Sequence, residues 1–157
     1  MLIVPEREIA GLMTRQAALD AVEAVFAAMA KGAAYNFPVI REAIGHEDAL
    51  YGFKGGFDGV APNLGLKAGG YWPHNLSRRG LINHQSTIFL FDPDTGKPRA
   101  IVGGNLLTAL RTAAALDAIA EMKRVPGAIV GAGTVVDVAG LDSAIAAGAE
   151  FIVSPGL

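Results

Sequence analysis

Asn105 to Leu116 reads NLLTALRTAAAL, and the fold turns on how this stretch is read. Leu106, Leu110 and Ala113 recur at helical spacing and share a face. Alanine is the strongest helix former, and a run of alanines lets a neighbouring backbone come close. Asn105 and Thr108 carry side-chain oxygens suited to capping free N–H groups at a helix start. Arg111 stands in the first turns among apolar neighbours. Two readings fit it. Either its guanidinium snorkels out of a core helix, or it forms an anion clamp beside free helix N–H groups, suited to a carboxylate or phosphate. The segment Leu110 to Leu116 is compatible with the residues on its N-terminal side and with those on its C-terminal side, and these two parts differ in texture.

Upstream, the pattern is that of an α+β unit. Leu2-Ile3-Val4 reads as a short strand stopped by Pro5. Thr14 caps a helix predicted to run to about Lys31, with Leu19, Val22, Phe26 and Met29 on its buried face and Gly32 as its stop. Phe37 to Arg41 is extended, because Pro38 disfavours helix for the residue before it. Leu50 to Phe53 and Leu64 to Lys67 read as strands, punctuated by Gly55-Gly56 and Pro62-Asn63. GGYWPHNLSRRGLINHQS, from Gly69, has the character of a loop. Thr87 to Phe91 and Arg99 to Val102 form a hairpin across the turn Asp92 to Gly96.

Downstream, the helix continues to about Lys123-Arg124. Ala128-Ile129-Val130 reads as a strand, Gly131 to Thr134 as a tight turn, Leu141 to Ala147 as a helix and Phe151 to Val153 as a second strand. Leu141, Ala144 and Ile145 share a face of that helix, Gly148 stops it, and Ser154-Pro155-Gly156 is a turn. This order predicts a partial parallel βαβ segment. Parallel strands want neighbours on both sides and cover on both faces, more than this segment supplies.

The bulk composition excludes several classes. The chain has 157 residues, 52% hydrophobic and 18% charged, which argues against disorder. Net charge is −2 with no basic run, so nucleic acid is not an expected partner. No apolar run approaches the ~18 residues of a bilayer span. The opening MLIVPEREIAG lacks the basic region of a signal peptide, so a cytoplasmic setting is expected. Without cysteine there is neither a disulfide frame nor thiol chemistry, and no metal-ligand set is expected.

The chemistry concentrates in a few cations. Lys67 ends an apolar strand before two glycines, either as a surface charge or as a partly buried ammonium aimed into a cleft. Arg41 has the same ambiguity. His84 and Gln85 lead from a polar stretch into the most apolar strand, where site residues often sit on a rigid scaffold, although a lone histidine is more often structural. Together Arg41, Lys67, His84 and Arg111 would make a cationic pocket for a small dicarboxylate.

These same residues carry a resemblance. The run GLKAGGYWPHN, then RGLINHQSTIFLFDPDTGKPRAIVGGNLLTALRTAAA, resembles the ornithine cyclodeaminase/mu-crystallin family across about residues 1 to 115. YGFKGGFD and GGYWPHN look closest to its iminosuccinate-reducing branch. The resemblance implies an α+β substrate-binding and dimerisation domain, over residues 1–112, that precedes a Rossmann domain holding NAD(P). It implies that Arg41, Lys67 and Arg111 hold substrate carboxylates, with Lys67 also near the reacting imine as the catalytic residue. Thr112 would approach the cofactor phosphates, and His84 and Gln85 would line the pocket. The reaction implied is imine reduction by a nicotinamide, in a homodimer.

Val130-Gly131-Ala132-Gly133 departs from that family's dinucleotide turn, since Val136 stands where a third small residue is needed. The stretch from LRTAAAL to VSPGL, about residues 110 to 157, instead resembles the 2-keto-3-deoxy-6-phosphogluconate (KDPG/KHG) aldolases, which are (β/α)₈ barrels. There Thr134 would lie near a bound keto acid. The general acid/base glutamate of that family corresponds to Leu106, which moves no protons, and its Schiff-base lysine comes after the Ser154-Pro155-Gly156 turn. The expectation is a hybrid. Residues 1–112 would be a reductase-like domain and 113–157 a partial βα unit of aldolase type, with NAD(P) not bound by this chain alone. An aldolase-type lyase fragment and a non-catalytic association module are the alternatives.

Overall fold

The computed structural model describes residues 1–133 and 138–153, and the expected roles of Thr134 and Val136 and the Ser154-Pro155-Gly156 turn lie outside them. Seven strands form one mixed sheet: β1 (Leu2–Val4), β2 (Ala34–Asn36), β3 (Ile40–Ala43), β4 (Leu50–Asp58), β5 (Asn63–Tyr71), β6 (His84–Phe91) and β7 (Pro98–Gly103). Their order is β1-β7-β6-β5-β4-β2, with β3 also paired to β4. Only β1 runs parallel to its neighbour. The helices α1 (Glu6–Leu12), α2 (Arg15–Ala30), the short α3 (Asn75–Arg79) and α4 (Asn105–Met122) complete the first part. A second sheet holds only β8 (Gly131–Gly133) and β9 (Phe151–Val153), parallel to each other and joined through α5 (Val138–Ala146).

Several expected elements differ from the structure in instructive ways. The glycine pairs do not punctuate the strands. Gly55 and Gly56 lie inside β4, and Gly69 and Gly70 inside β5. They serve close approach instead of turning: a Cβ at Gly69 would sit 2.6 Å from the Gln85 carbonyl oxygen on β6. The stretch with loop character is therefore strand to Tyr71, a one-turn helix at Asn75–Arg79, and strand again from His84. Thr14 does cap α2, its hydroxyl oxygen accepting from the Ala17 N–H at 3.1 Å. Phe26 is not on the buried face, however, and is 64% exposed, because Ala18 and Ala28 define the contact line.

The start of α4 is capped from far away in sequence. Its N-cap residue is Gly104, which has no side chain to offer. Asn105 and Thr108 do not fill the role either. The Asn105 side-chain oxygen accepts from the Ser86 N–H, and the Thr108 hydroxyl donates to the Gly104 carbonyl at 2.7 Å. The Glu6 carboxylate takes their place, accepting from the Asn105 and Leu106 N–H groups at 3.1 and 2.5 Å. A carboxylate there satisfies orphan donors and meets the positive end of the helix dipole. It also means that two of the helix N–H groups expected to stand free are already used.

The C-terminal half of α4 carries a different core. Ile119, Val130, Ala132 and Ala144 are buried together, with Leu116, Ala128, Ala147, Ala149 and Ile152 packed against them. The expected strand at Ala128–Val130 lies three residues late, at Gly131–Gly133, where the glycines predict a turn. The α5 face contains Ala144 but not Ile145, which is 57% exposed. Lys123 ties this part together by ion-pairing with Glu150 and donating to the Ala128 carbonyl at 3.2 Å.

Candidate functional site

Strand pairing decides which side chains meet. Successive residues of a strand point to opposite faces, and directly paired residues share a face. Arg41 pairs with Gly52, and Gly52 with Gly69. Lys54 pairs with Lys67, and Tyr71 with His84. The result on one face of the sheet is a floor of two facing glycines. Arg41 stands at one end, Lys54 and Lys67 along one side, and Leu50, Tyr71 and His84 along the other. The roof is α4, which contributes Thr108, Arg111 and Thr112. The half-open cavity is about 190 Å³, and Arg41, Lys54, Lys67, His84, Arg111 and Thr112 all line it.

The site is electrostatically one-sided. Among the described residues, no carboxylate lies within ion-pair distance of Arg41, Lys54, Lys67 or Arg111. Burial pushes the Lys67 ammonium down to about 8, helped by the positive charges of Arg111 and Lys54. Burial lowers Lys54 as well, with Arg111 and Arg41 adding to the effect. His84 is held below its ordinary value by burial first and then by Lys67, Arg111, Arg41 and Lys54, so it is neutral at pH 7. Lys67 is aimed by α4: its Nζ donates to the Thr108 hydroxyl oxygen at 3.3 Å, an oxygen whose own proton is committed to Gly104. Like charges gathered in a half-buried hollow cost free energy unless an anion joins them.

Four of the expected substrate residues, Arg41, Lys67, His84 and Arg111, thus meet in one cavity. Gln85 does not. It comes after His84 on β6 and so points to the other side, where it donates to the Ile82 carbonyl at 2.9 Å and accepts from the Asn105 amide at 3.1 Å. There it lines a shallower hollow with Trp72, Asn75 and Arg79. Thr112 reaches the rim, its hydroxyl donating to the Thr108 carbonyl at 2.9 Å. Sequence reasoning misses Lys54. Taking Gly55-Gly56 as a strand end places it outside the sheet. The available signal is the period of two, which puts Lys54 on the face of Gly52.

In a dinucleotide turn the first glycine makes the tight turn out of the strand and the second lets the pyrophosphate approach the backbone. Here both glycines lie inside β8, Gly131 is paired with Phe151 of β9, and the Phe151 ring occupies the position a Cβ at Gly131 would take. The described residues of this βαβ segment therefore do not fit NAD(P), and no chemical step is assigned to a nicotinamide here.

Comparison of the sequence with known proteins divides the chain at the same helix, whereas the comparison of structures spans it almost whole. Iminosuccinate reductase of Paracoccus denitrificans is 76% identical over 115 residues, which are 73% of this chain and 36% of that protein. The crystal structure of that reductase in complex with NAD+ superposes with a TM-score of 0.73 and 58% sequence identity, covering 99% of this chain and 50% of the other. The family model "KDPG and KHG aldolase" matches residues 103–157. The 2-dehydro-3-deoxy-phosphogluconate aldolase of Zymomonas mobilis is 57% identical over 61 residues, 37% of this chain and 29% of that enzyme. The chain thus spans only about a third of the length of the curated proteins it matches. In sequence it is a hybrid, with a front that resembles the iminosuccinate reductases of the ornithine cyclodeaminase/mu-crystallin family and a tail that resembles the KDPG/KHG aldolases.

Proposed function

We propose that residues 1–112 form the substrate-binding half of an imine reductase-type oxidoreductase, of the iminosuccinate-to-aspartate class, and that 113–157 are a partial βα unit of aldolase type. The single observation that carries this reading is the cavity in which Arg41, Lys67 and Arg111 converge with no carboxylate among its lining residues. A small dicarboxylate or amino-acid-like substrate offers the missing negative charge. Arg41 and Arg111 would orient its carboxylates through charge-assisted hydrogen bonds. Lys67 would act at the reacting centre. With its ammonium near 8 it gives up a proton more readily than an ordinary lysine, and protonating an imine nitrogen makes the adjacent carbon a better hydride acceptor. His84, neutral, would line the pocket without adding to its charge. NAD(P) is not bound by this chain alone in this reading, so no hydride step is assigned to it, and Thr112 stands with the α4 residues that line the cavity.

The assembly proposed is a cytoplasmic homodimer, with neither nucleic acid nor membrane as partner. No helix among the described residues is long and apolar enough to cross a membrane. The dimer is supported by the sheet's other face, where Ile3, Ile101, Phe89 and Leu66 pair in register across four strands. Ile3, Ile40 and Phe53 on that face are 65, 55 and 45% exposed, an apolar surface that asks for cover.

Calorimetry with oxaloacetate tests the pocket without any nicotinamide. One site per chain is expected at pH 7. Lys67 is charged below about 8, and a bound dianion raises its affinity for the proton. Affinity is therefore full below pH 8 and falls above it, by at most about tenfold per pH unit for one linked proton. No heat at millimolar ligand overturns the reading. The lyase alternative draws on the aldolase match of the tail. Borohydride trapping with pyruvate separates it, because only a Schiff-base enzyme is labelled.

A further inference from the structure

Lys54 is the cation that neither the motif pattern nor the proposed chemistry accounts for. It stands directly across β4 and β5 from Lys67. Two like charges in a directly opposed cross-strand pair destabilise a sheet. Both line the same cavity, both are pushed down by burial, and neither has a carboxylate partner among the described residues. The neighbours differ along the cavity. The charge felt most by His84 is that of Lys67, and Lys54 comes last of the four cations that act on it. The charges felt by Lys54 are those of Arg111 and Arg41. His84 and Lys67 therefore mark one end of the hollow, and Lys54 with Arg41 the other, with Arg111 above both. The facing pair Gly52 and Gly69 leaves the floor between them bare.

We propose that Lys54 holds the second carboxylate of the ligand, at the end of the cavity away from His84, and so makes the pocket prefer dianionic four-carbon acids over monoanionic ones. This rests on the reading of the cavity as a carboxylate site. A monoanion bound at the Lys67 and Arg111 end leaves Lys54 uncompensated; a dianion spanning the glycine floor neutralises both ends. Discrimination then comes from a buried charge left unpaired by the wrong ligand, which is a larger effect than any difference in apolar contact.

The test uses the full chain and calorimetric titration with succinate and oxaloacetate as dianions and with propionate and pyruvate as monoanions. Lys54→Met is expected to weaken both dianions by roughly 10- to 100-fold, the worth of one charge-assisted hydrogen bond, and to change the monoanions by no more than about twofold. Lys54→Arg keeps the discrimination. Removing the Lys54 charge also lifts repulsion from Lys67, so the pH at which anion affinity begins to fall moves upward in Lys54→Met; an unmoved profile would overturn the placement of the two ammonium groups in one cavity. If dianions and monoanions weaken in equal proportion, or if neither changes, the assignment of Lys54 fails while the carboxylate pocket stands. If the unaltered chain binds no dicarboxylate, both fall together. A thermal melt of Lys54→Met is expected to match or exceed that of the parent, since the substitution removes a like-charge contact.

Discussion

The two halves of α4 serve different partners. Its N-terminal half presents Thr108, Arg111 and Thr112 to a cavity walled by four strands of the large sheet. Its C-terminal half gives Leu116 and Ile119 to a small apolar core under a two-stranded sheet. The first half is fixed at long range: Glu6 grips its opening N–H groups across 100 positions of sequence, and Asn105 fastens to Ser86. Apart from the ion pair of Asp117 with Arg15, the second is fixed by residues close in sequence, through Lys123, Val130 and Glu150. One continuous helix therefore joins a region rich in distant pairing to one built from local contacts. The proposed boundary near residue 112 falls inside a helix, so the two parts are joined by unbroken backbone hydrogen bonding and not by a linker.

The largest expected effect comes from attacking the tail core. Ala144 is 2% exposed and faces Ile119 and Val130. Ala144→Asp would bury a carboxylate without a partner, at a cost on the order of 3 kcal/mol or more. So small a core has little with which to offset that loss. Amide protection in β8 and β9 is expected to vanish in hydrogen exchange, while β4 to β6 stay protected and the pocket still binds its dicarboxylate. A single transition that takes both regions together would break the comparison, and would show that the tail supports the site through α4.

A smaller effect is expected at the other end of the helix. Glu6→Ala removes two hydrogen bonds to the first N–H groups of α4, together with the favourable charge at its dipole. A loss of about 1–2 kcal/mol is expected by chemical denaturation, and Glu6→Gln should recover part of it, because an amide oxygen still accepts. Glu6 does not line the pocket, so this variant sharpens the comparison: dicarboxylate affinity near pH 7 should stay close to that of the parent if the cap holds only the helix.

Much of the site is legible in the sequence because its residues carry their own signal. A lysine before two glycines, an arginine in an alanine-rich helix and a histidine at a strand entrance stand out, and they meet in one cavity. The parts that are not legible depend on pairing. Lys54 is misplaced because glycines inside β4 hide where that strand ends, and Gln85 because β6 begins at His84, three residues before its most apolar run. Glu6 cannot be found from local capping patterns at all, since its partners lie on a helix about 100 residues away. In the tail, the order helix–strand–helix–strand is readable from hydrophobic runs. The position of β8 is not, because glycines that ordinarily mark a turn sit here in a strand, Gly131 packed under an aromatic ring.

The smallest effect concerns the ion pair between Arg15 at the start of α2 and Asp117 in the middle of α4. It is bidentate, with the guanidinium Nε and Nη2 donating to the two carboxylate oxygens. Geometry of that kind gives a surface pair its best chance of contributing. Yet the side chains are 60 and 40% exposed, and water and salt screen most of the attraction. A double-mutant cycle with Arg15→Gln and Asp117→Asn is expected to return a coupling below about 1 kcal/mol, shrinking further in high salt. Asp117 sits at the point of α4 where the cavity side gives way to the tail core. A coupling well above that value would mean that α2 helps hold the helix at the junction, and that the two regions are less independent than their separate cores suggest.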